Sequence, residues 1–182
     1  MNTREISFSA LMSIIGNILF IPTRFTIGGQ VVPDFSHIAT FISAIYGGTY
    51  IGFIVGFLSG ILPGVFFGPL GSLGILGLIG LPLGKSLTGL TLGFLVDILE
   101  IRKRKRFKLI LPIAILSYTP ECIFTIMFFK YIIPVFLKIR LEFLIPIIVG
   151  KAWIEIILIS ILTTILVNNR SFTEYMLKYF NR

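Results

Sequence analysis

The chain has 182 residues, of which 55% are hydrophobic and only 13% charged, and its mean hydropathy is +0.99. Ordinary soluble domains carry about 25% charged residues, so this composition excludes a soluble globular protein and leaves an all-α integral membrane protein. At about 20 apolar residues per crossing there is room for six spans and short loops in one domain, 1–182, and none for a separate soluble domain. The single Cys122 has no intramolecular disulfide partner and carries no redox information.

In chain order, spans are expected over 6–22, 35–49, 50–67, 83–99, 108–129 and 143–167. The first is read as a mature helix and not a signal peptide: it contains Asn17, follows a single basic residue and lacks a small-residue cleavage site. The third lies within a run of glycines, Gly48, Gly52, Gly56, Gly60, Gly64 and Gly68, one at every fourth position. In water each glycine would cost a helix about 1 kcal/mol relative to alanine. In a bilayer, small residues at this spacing let two helix backbones approach closely, so the run is a packing spine.

The next segment, 68–82, has glycines at every third position from Gly68 to Gly80, between Pro69 and Pro82. It is expected to be irregular backbone on the outer side, dipping into the membrane under cover of protein. The run from Gly80 to Ser86 looks like a phosphate-cradling loop. However, it has three residues between its glycines where that motif has four, and its setting is apolar, so it is set aside.

Between spans four and five lie Arg102, Lys103, Arg104, Lys105, Arg106 and Lys108. Short cytoplasmic loops collect lysine and arginine, which makes this loop and both termini cytoplasmic and gathers ten of the sixteen basic residues there. Topology accounts for the basic run, so a nucleic-acid partner is not expected.

Ionisable residues inside spans are the strongest pointers to a site, because each costs several kcal/mol unless it is paired or faces a cavity. Glu121 lies about 20 Å from the cytoplasmic edge and Lys151 about 12 Å from the outer edge of a core about 30 Å thick, so their depths nearly coincide. Glu155 shares the helix face of Lys151. Lys85 lies near the outer end of span four. Asp34, Ser36 and the only histidine, His37, form a polar mouth before span two, where Asp34 also suits an N-cap. Tyr118, Phe124 and Trp153 add flat apolar faces suited to a small planar ligand. Substrate contacts are therefore expected from Asp34, His37, Lys85, Glu121, Lys151, Trp153 and Glu155, covered by segments 23–34 and 68–82. No metal site, cofactor or catalytic constellation is expected, so the chain does not read as an enzyme.

The segment from Val31 to Gly48, the glycine-rich helix after it and the Gly-Pro-Leu-Gly turn at 68–71 resemble the substrate-binding S component of energy-coupling factor (ECF) vitamin transporters. The resemblance implies six helices with both termini cytoplasmic, in the plasma membrane. It also implies a vitamin or related small molecule captured near the outer face, and partners comprising a membrane coupling protein and two cytoplasmic ATPases. That family meets its coupling protein through an Ala-x-x-x-Ala pattern on span one. The matching positions here are Ser9 and Ser13, with Ala10 adjacent, which keeps the small-residue spacing and changes its identity. The alternative class, a small self-powered secondary transporter or channel, would normally show two similar halves, and the glycine stripe occurs once.

Overall fold

A computed structural model describes residues 1–26 and 34–180. Among these, every regular element is helical: α1 (Thr3–Thr26), α2 (His37–Gly47), α3 (Thr49–Ser59), α4 (Ile61–Phe67), α5 (Gly74–Ile98), α6 (Ile110–Ser117), α7 (Thr119–Met127), α8 (Ile133–Leu137), α9 (Ile145–Asn168) and α10 (Arg170–Tyr179). Five stretches are long and apolar enough to cross a membrane: Thr3–Pro22, Thr49–Phe67, Gly74–Ile98, Phe107–Leu137 and Glu142–Asn168. The second expected span, 35–49, differs. Its helix α2 has 11 residues, about 16 Å, or roughly half of a bilayer core. All of α2 except Ile38 is buried, so it runs through the middle of the bundle.

The glycine spine makes the contact expected of it. A methyl group on Gly52 would lie 2.5 Å from the carbonyl oxygen of Gly89, one on Gly56 2.7 Å from that of Lys85, and one on Gly60 2.6 Å from the Cα of Pro82. From the other side, a methyl on Gly93 would lie 2.6 Å from the Cα of Thr49. Thus α3 and α4 lie along α5 backbone against backbone, with no room at the seam for any side chain.

The irregular stretch is shorter than the sequence predicts. Only 68–73 is non-helical, and the rest of the expected outer segment, from Gly74 through Pro82, is the first part of the 25-residue α5. Packing overrides propensity there. Gly77 sits against the Cα of Gly68, and Gly80 against the ring of Phe128, so two faces of the helix use their missing side chains. The phosphate-loop look-alike, 80–86, is uninterrupted helix.

Two breaks are held by identifiable groups. Between α3 and α4 the side-chain amide of Asn17 on α1 donates to the carbonyl of Leu58 (2.9 Å) and accepts from the N–H of Leu62 (3.0 Å). Those two backbone groups would bond each other in an unbroken helix, so Asn17 bridges the break from outside. Between α7 and α8 the chain makes a π turn, Phe128–Ile132. The wider turn buries both Phe128 and Phe129, which join Leu73 and Ile133 in a small apolar cluster.

Both termini and the basic loop gather at one end. The Tyr179 hydroxyl donates to the Arg4 carbonyl (2.9 Å), and Phe8 packs on Phe180. Tyr46, at the end of α2, packs on Phe107 and Phe172 and shares a hydrogen bond of 2.6 Å with Thr173 of α10. Gly48 turns the chain from α2 into α3 at φ 95°, a conformation that glycine adopts without strain. Asp97 accepts from the Thr49 hydroxyl (2.8 Å) and pairs with Arg102, which also donates to the Ile45 carbonyl. The amphipathic α10, capped by Asn169, lies beyond the expected spans, because a ten-residue helix with polar residues among its apolar ones carries no hydropathy signal of a crossing.

The seam makes a direct prediction. Gly52→Ala should destabilise the detergent-solubilised protein by about 1–3 kcal/mol through overpacking, read as a lowered melting temperature. Gly150→Ala, where an added methyl meets nothing within 4 Å, should be neutral or slightly stabilising.

Candidate functional site

The site is assembled where α2 begins, in the interior of the bundle. Asp34 turns back on Ser36, accepting from its N–H (3.0 Å) and its hydroxyl (2.6 Å), which fixes the carboxylate at the entrance to the helix. Lys85 reaches this turn from α5. Its ammonium lies 2.5 Å from Asp34 Oδ2 and bonds the Ser36 hydroxyl. Lys85 is 4% exposed, and its backbone carbonyl is the one packed on Gly56, so the glycine seam sets where this cation stands.

A second branch comes from α9. Lys151 pairs with Glu155 one turn later (3.2 Å), and Glu155 accepts the backbone N–H of Asp34 (3.2 Å). The third branch comes from α7. Glu121 accepts from Thr88 of α5 (2.5 Å) and stands 3.7 Å from Nε2 of His37, in the first turn of α2. His37 is buried and meets Phe41 edge to face, and its Nδ1 has no hydrogen-bond partner among the described residues.

Six of the residues expected at the site, Asp34, His37, Lys85, Glu121, Lys151 and Glu155, therefore belong to one polar constellation fed by four elements. The pairing differs from the direct Glu121 and Lys151 contact that equal depth suggests. Lys151 turns to Glu155 on its own helix, while Glu121 turns to Thr88 and His37. Trp153 meets Tyr118 edge to face at 5.1 Å, an aromatic corner on the same two helical segments as Glu155 and Glu121. Thr88 and Ser36 were not among the expected contacts. Thr88 falls three residues after Lys85, on the same helix face, which is the signal that would have identified it.

The covering segments stand differently. Residues 27–33, with the Val31, Val32 and Pro33 of the entry motif, lie outside the described residues. On the other side, Gly84 abuts Glu121: a methyl there would lie 3.5 Å from its Cγ and 3.6 Å from Phe124. Phe124 stacks on Phe128, which in turn fills the hollow over Gly80. Among the described residues no three His, Cys, Asp or Glu side chains are grouped to hold a metal ion.

The positions on span one matched to the coupling-protein pattern differ in exposure. Ser9 and Ser13 are buried, 3% and 5% exposed, and their hydroxyls bond back to the carbonyls of Glu5 and Ser9. The small-residue face runs on through Gly16, where an added methyl would lie 2.6 Å from Ser59 Cβ. It is consumed by packing inside the chain. Of the three positions only Ala10 is exposed, beside Leu11 and Ile14.

The inner pair gives the site its test of stability. Lys85→Met leaves the Asp34 carboxylate buried without its cation and should cost about 3–5 kcal/mol. Adding Asp34→Asn should recover part of that loss, and thermal melts of the single and double variants read both. Comparison with protein-family models, curated proteins and solved structures finds no match to this chain.

Proposed function

We propose that the chain is a substrate-capturing membrane subunit that binds a small polar molecule within its bundle, in the manner of the S component of an ECF-type transporter. The observation that carries this reading is the convergence of three carboxylates, two ammonium groups and an imidazole from four elements on one interior point. Ionisable groups are expensive in a membrane and are retained where they meet a solute or an ion. Substrate sites in membrane proteins form where a helix starts or stops at depth, and α2 begins there.

In this reading the basic end faces the cytoplasm of a plasma-membrane protein, because lysine and arginine are concentrated in its short loop. The solute, a vitamin or a molecule of similar size, enters from the opposite side. The energy comes from a separate membrane coupling protein and two cytoplasmic ATPases, because the one phosphate-loop look-alike is plain helix. Contact with the coupling protein falls on the exposed face of α1 around Ala10 and Ile14, since Ser9 and Ser13 are enclosed. A self-powered transporter is the second reading. It is favoured by the complete internal pairing of Lys85 and Lys151, an arrangement that a proton or ion can rearrange.

Native mass spectrometry of the protein purified alone in nanodiscs tests the first reading, with a bound small molecule at one per chain as the expected result. Lys151→Met should weaken retention of that molecule at least tenfold, about 1.4 kcal/mol, measured on protein that still melts cooperatively. A protein that holds nothing when purified alone, yet moves solute down a proton gradient in vesicles without ATPases, establishes the second reading instead.

A further inference from the structure

We infer that the solute bound in this constellation is a small organic cation, an amine or a related protonated nitrogen compound, whose charged nitrogen is received by Glu121 while His37 Nδ1 accepts a second donor of the same solute. The inference rests on the capture reading above and specifies its substrate.

The first argument is charge. Two of the three carboxylates have an ammonium partner: Asp34 takes Lys85, and Glu155 takes Lys151. Glu121 has none. Its polar neighbours are the Thr88 hydroxyl and Nε2 of His37, and among the described residues no lysine or arginine nitrogen lies within 4.0 Å of it. A carboxylate inside a bundle with only neutral hydrogen-bond donors is incompletely compensated, and a cationic solute completes it. A carboxylate-bearing solute would add a fourth negative charge to a point that holds two positive ones.

The second argument is independent of charge counting. His37 is 7% exposed, and its Nδ1 lacks a hydrogen-bond partner. A carboxylate facing Nε2 favours the proton on that nitrogen, which leaves Nδ1 as a lone acceptor. A buried acceptor without a partner is costly, so it calls for a donor. A solute that carries a second N–H or O–H beside its charged nitrogen supplies it.

The third is the neighbourhood of Glu121. Gly84 brings only backbone against it, and the Phe124 ring lies beside the same point. Aromatic rings near a carboxylate favour a cation through the ring quadrupole.

The test uses the full chain in nanodiscs, equilibrated at neutral pH with an equimolar mixture of primary and aromatic amines, uncharged amides and carboxylates. Native mass spectrometry then reads which class is retained. The expected result is at least tenfold enrichment of an amine over both other classes, and loss of that enrichment in Glu121→Gln. Gly84→Val, which fills the flank without removing a charge, should lose it as well and serves where Glu121→Gln fails to fold. Preferential retention of carboxylates or uncharged amides would overturn the cation assignment and leave the capture reading standing. Retention of no class would overturn both, and undiminished amine binding by a folded Glu121→Gln protein would remove Glu121 from the site.

Discussion

Everything in this bundle depends on the backbone contact between α3 with α4 and α5. In lipid, apolar side chains gain little by meeting each other, so two helices hold together by dispersion between closely packed atoms. The distance of approach is set by the smallest side chains at the contact. Here Gly52, Gly56 and Gly60 face Gly89, Lys85 and Pro82 with carbonyl oxygens and Cα atoms at the interface. That approach fixes the rotation of α5 about its axis. With its backbone committed to Gly56, Lys85 projects toward the start of α2 and not into lipid, while Thr88, three residues on, is carried to Glu121.

The same contact explains how a short helix carries the site. Because α2 is enclosed on nearly every face, its first turn is placed at depth without needing to reach the far surface. A helix start in the interior presents unsatisfied N–H groups and a partial positive charge, and carboxylates are its natural neighbours. Asp34 closes the turn through Ser36, and Glu155 accepts the Asp34 N–H from across the interface with α9. The two lysines then offset the carboxylates so gathered. Charge in this interior follows from the helix start, which in turn follows from the seam.

Much of this was legible in the sequence, and the parts that were not share a cause. The glycine stripe, the apolar runs and the rarity of charge inside them carry the packing spine, five of the spans and six of the clustered residues. Depth arithmetic brought Glu121 and Lys151 to one level, but depth says nothing about azimuth. The azimuth sends Lys151 to Glu155 and Glu121 to Thr88. The glycines of 74–82 were misread as irregular because propensity was weighed without the partner surfaces at Gly68 and Phe128 that repay it. The small-residue spacing of Ser9 and Ser13 identifies a close contact without naming its partner. At Gly16, further along the same helix, the partner is this chain's own α2 and α3, through Ala39 and Ser59.

The bundle is also uneven along its axis, and the unevenness has a mechanical meaning. Toward the basic end the helices run unbroken and are tied together by Tyr46 with Thr173, Asp97 with Thr49 and Arg102, and Tyr179 with Arg4. Large side chains such as Tyr46, Ile101, Ile110 and Val167 are fully enclosed there. Toward the other end the helices are interrupted: at Gly60, where Asn17 stands in for a backbone bond, at 68–73, and at the π turn 128–132. Each interruption replaces repeating backbone bonds with a side chain or a wider turn, and so lowers the cost of local opening relative to the tied end. The polar constellation lies between the two regimes, with Lys85 near the middle of α5 and Glu121 about two turns short of the π segment. A site so placed is held at one side and adjustable at the other, which is what the proposed capture of a solute from one end of the bundle requires.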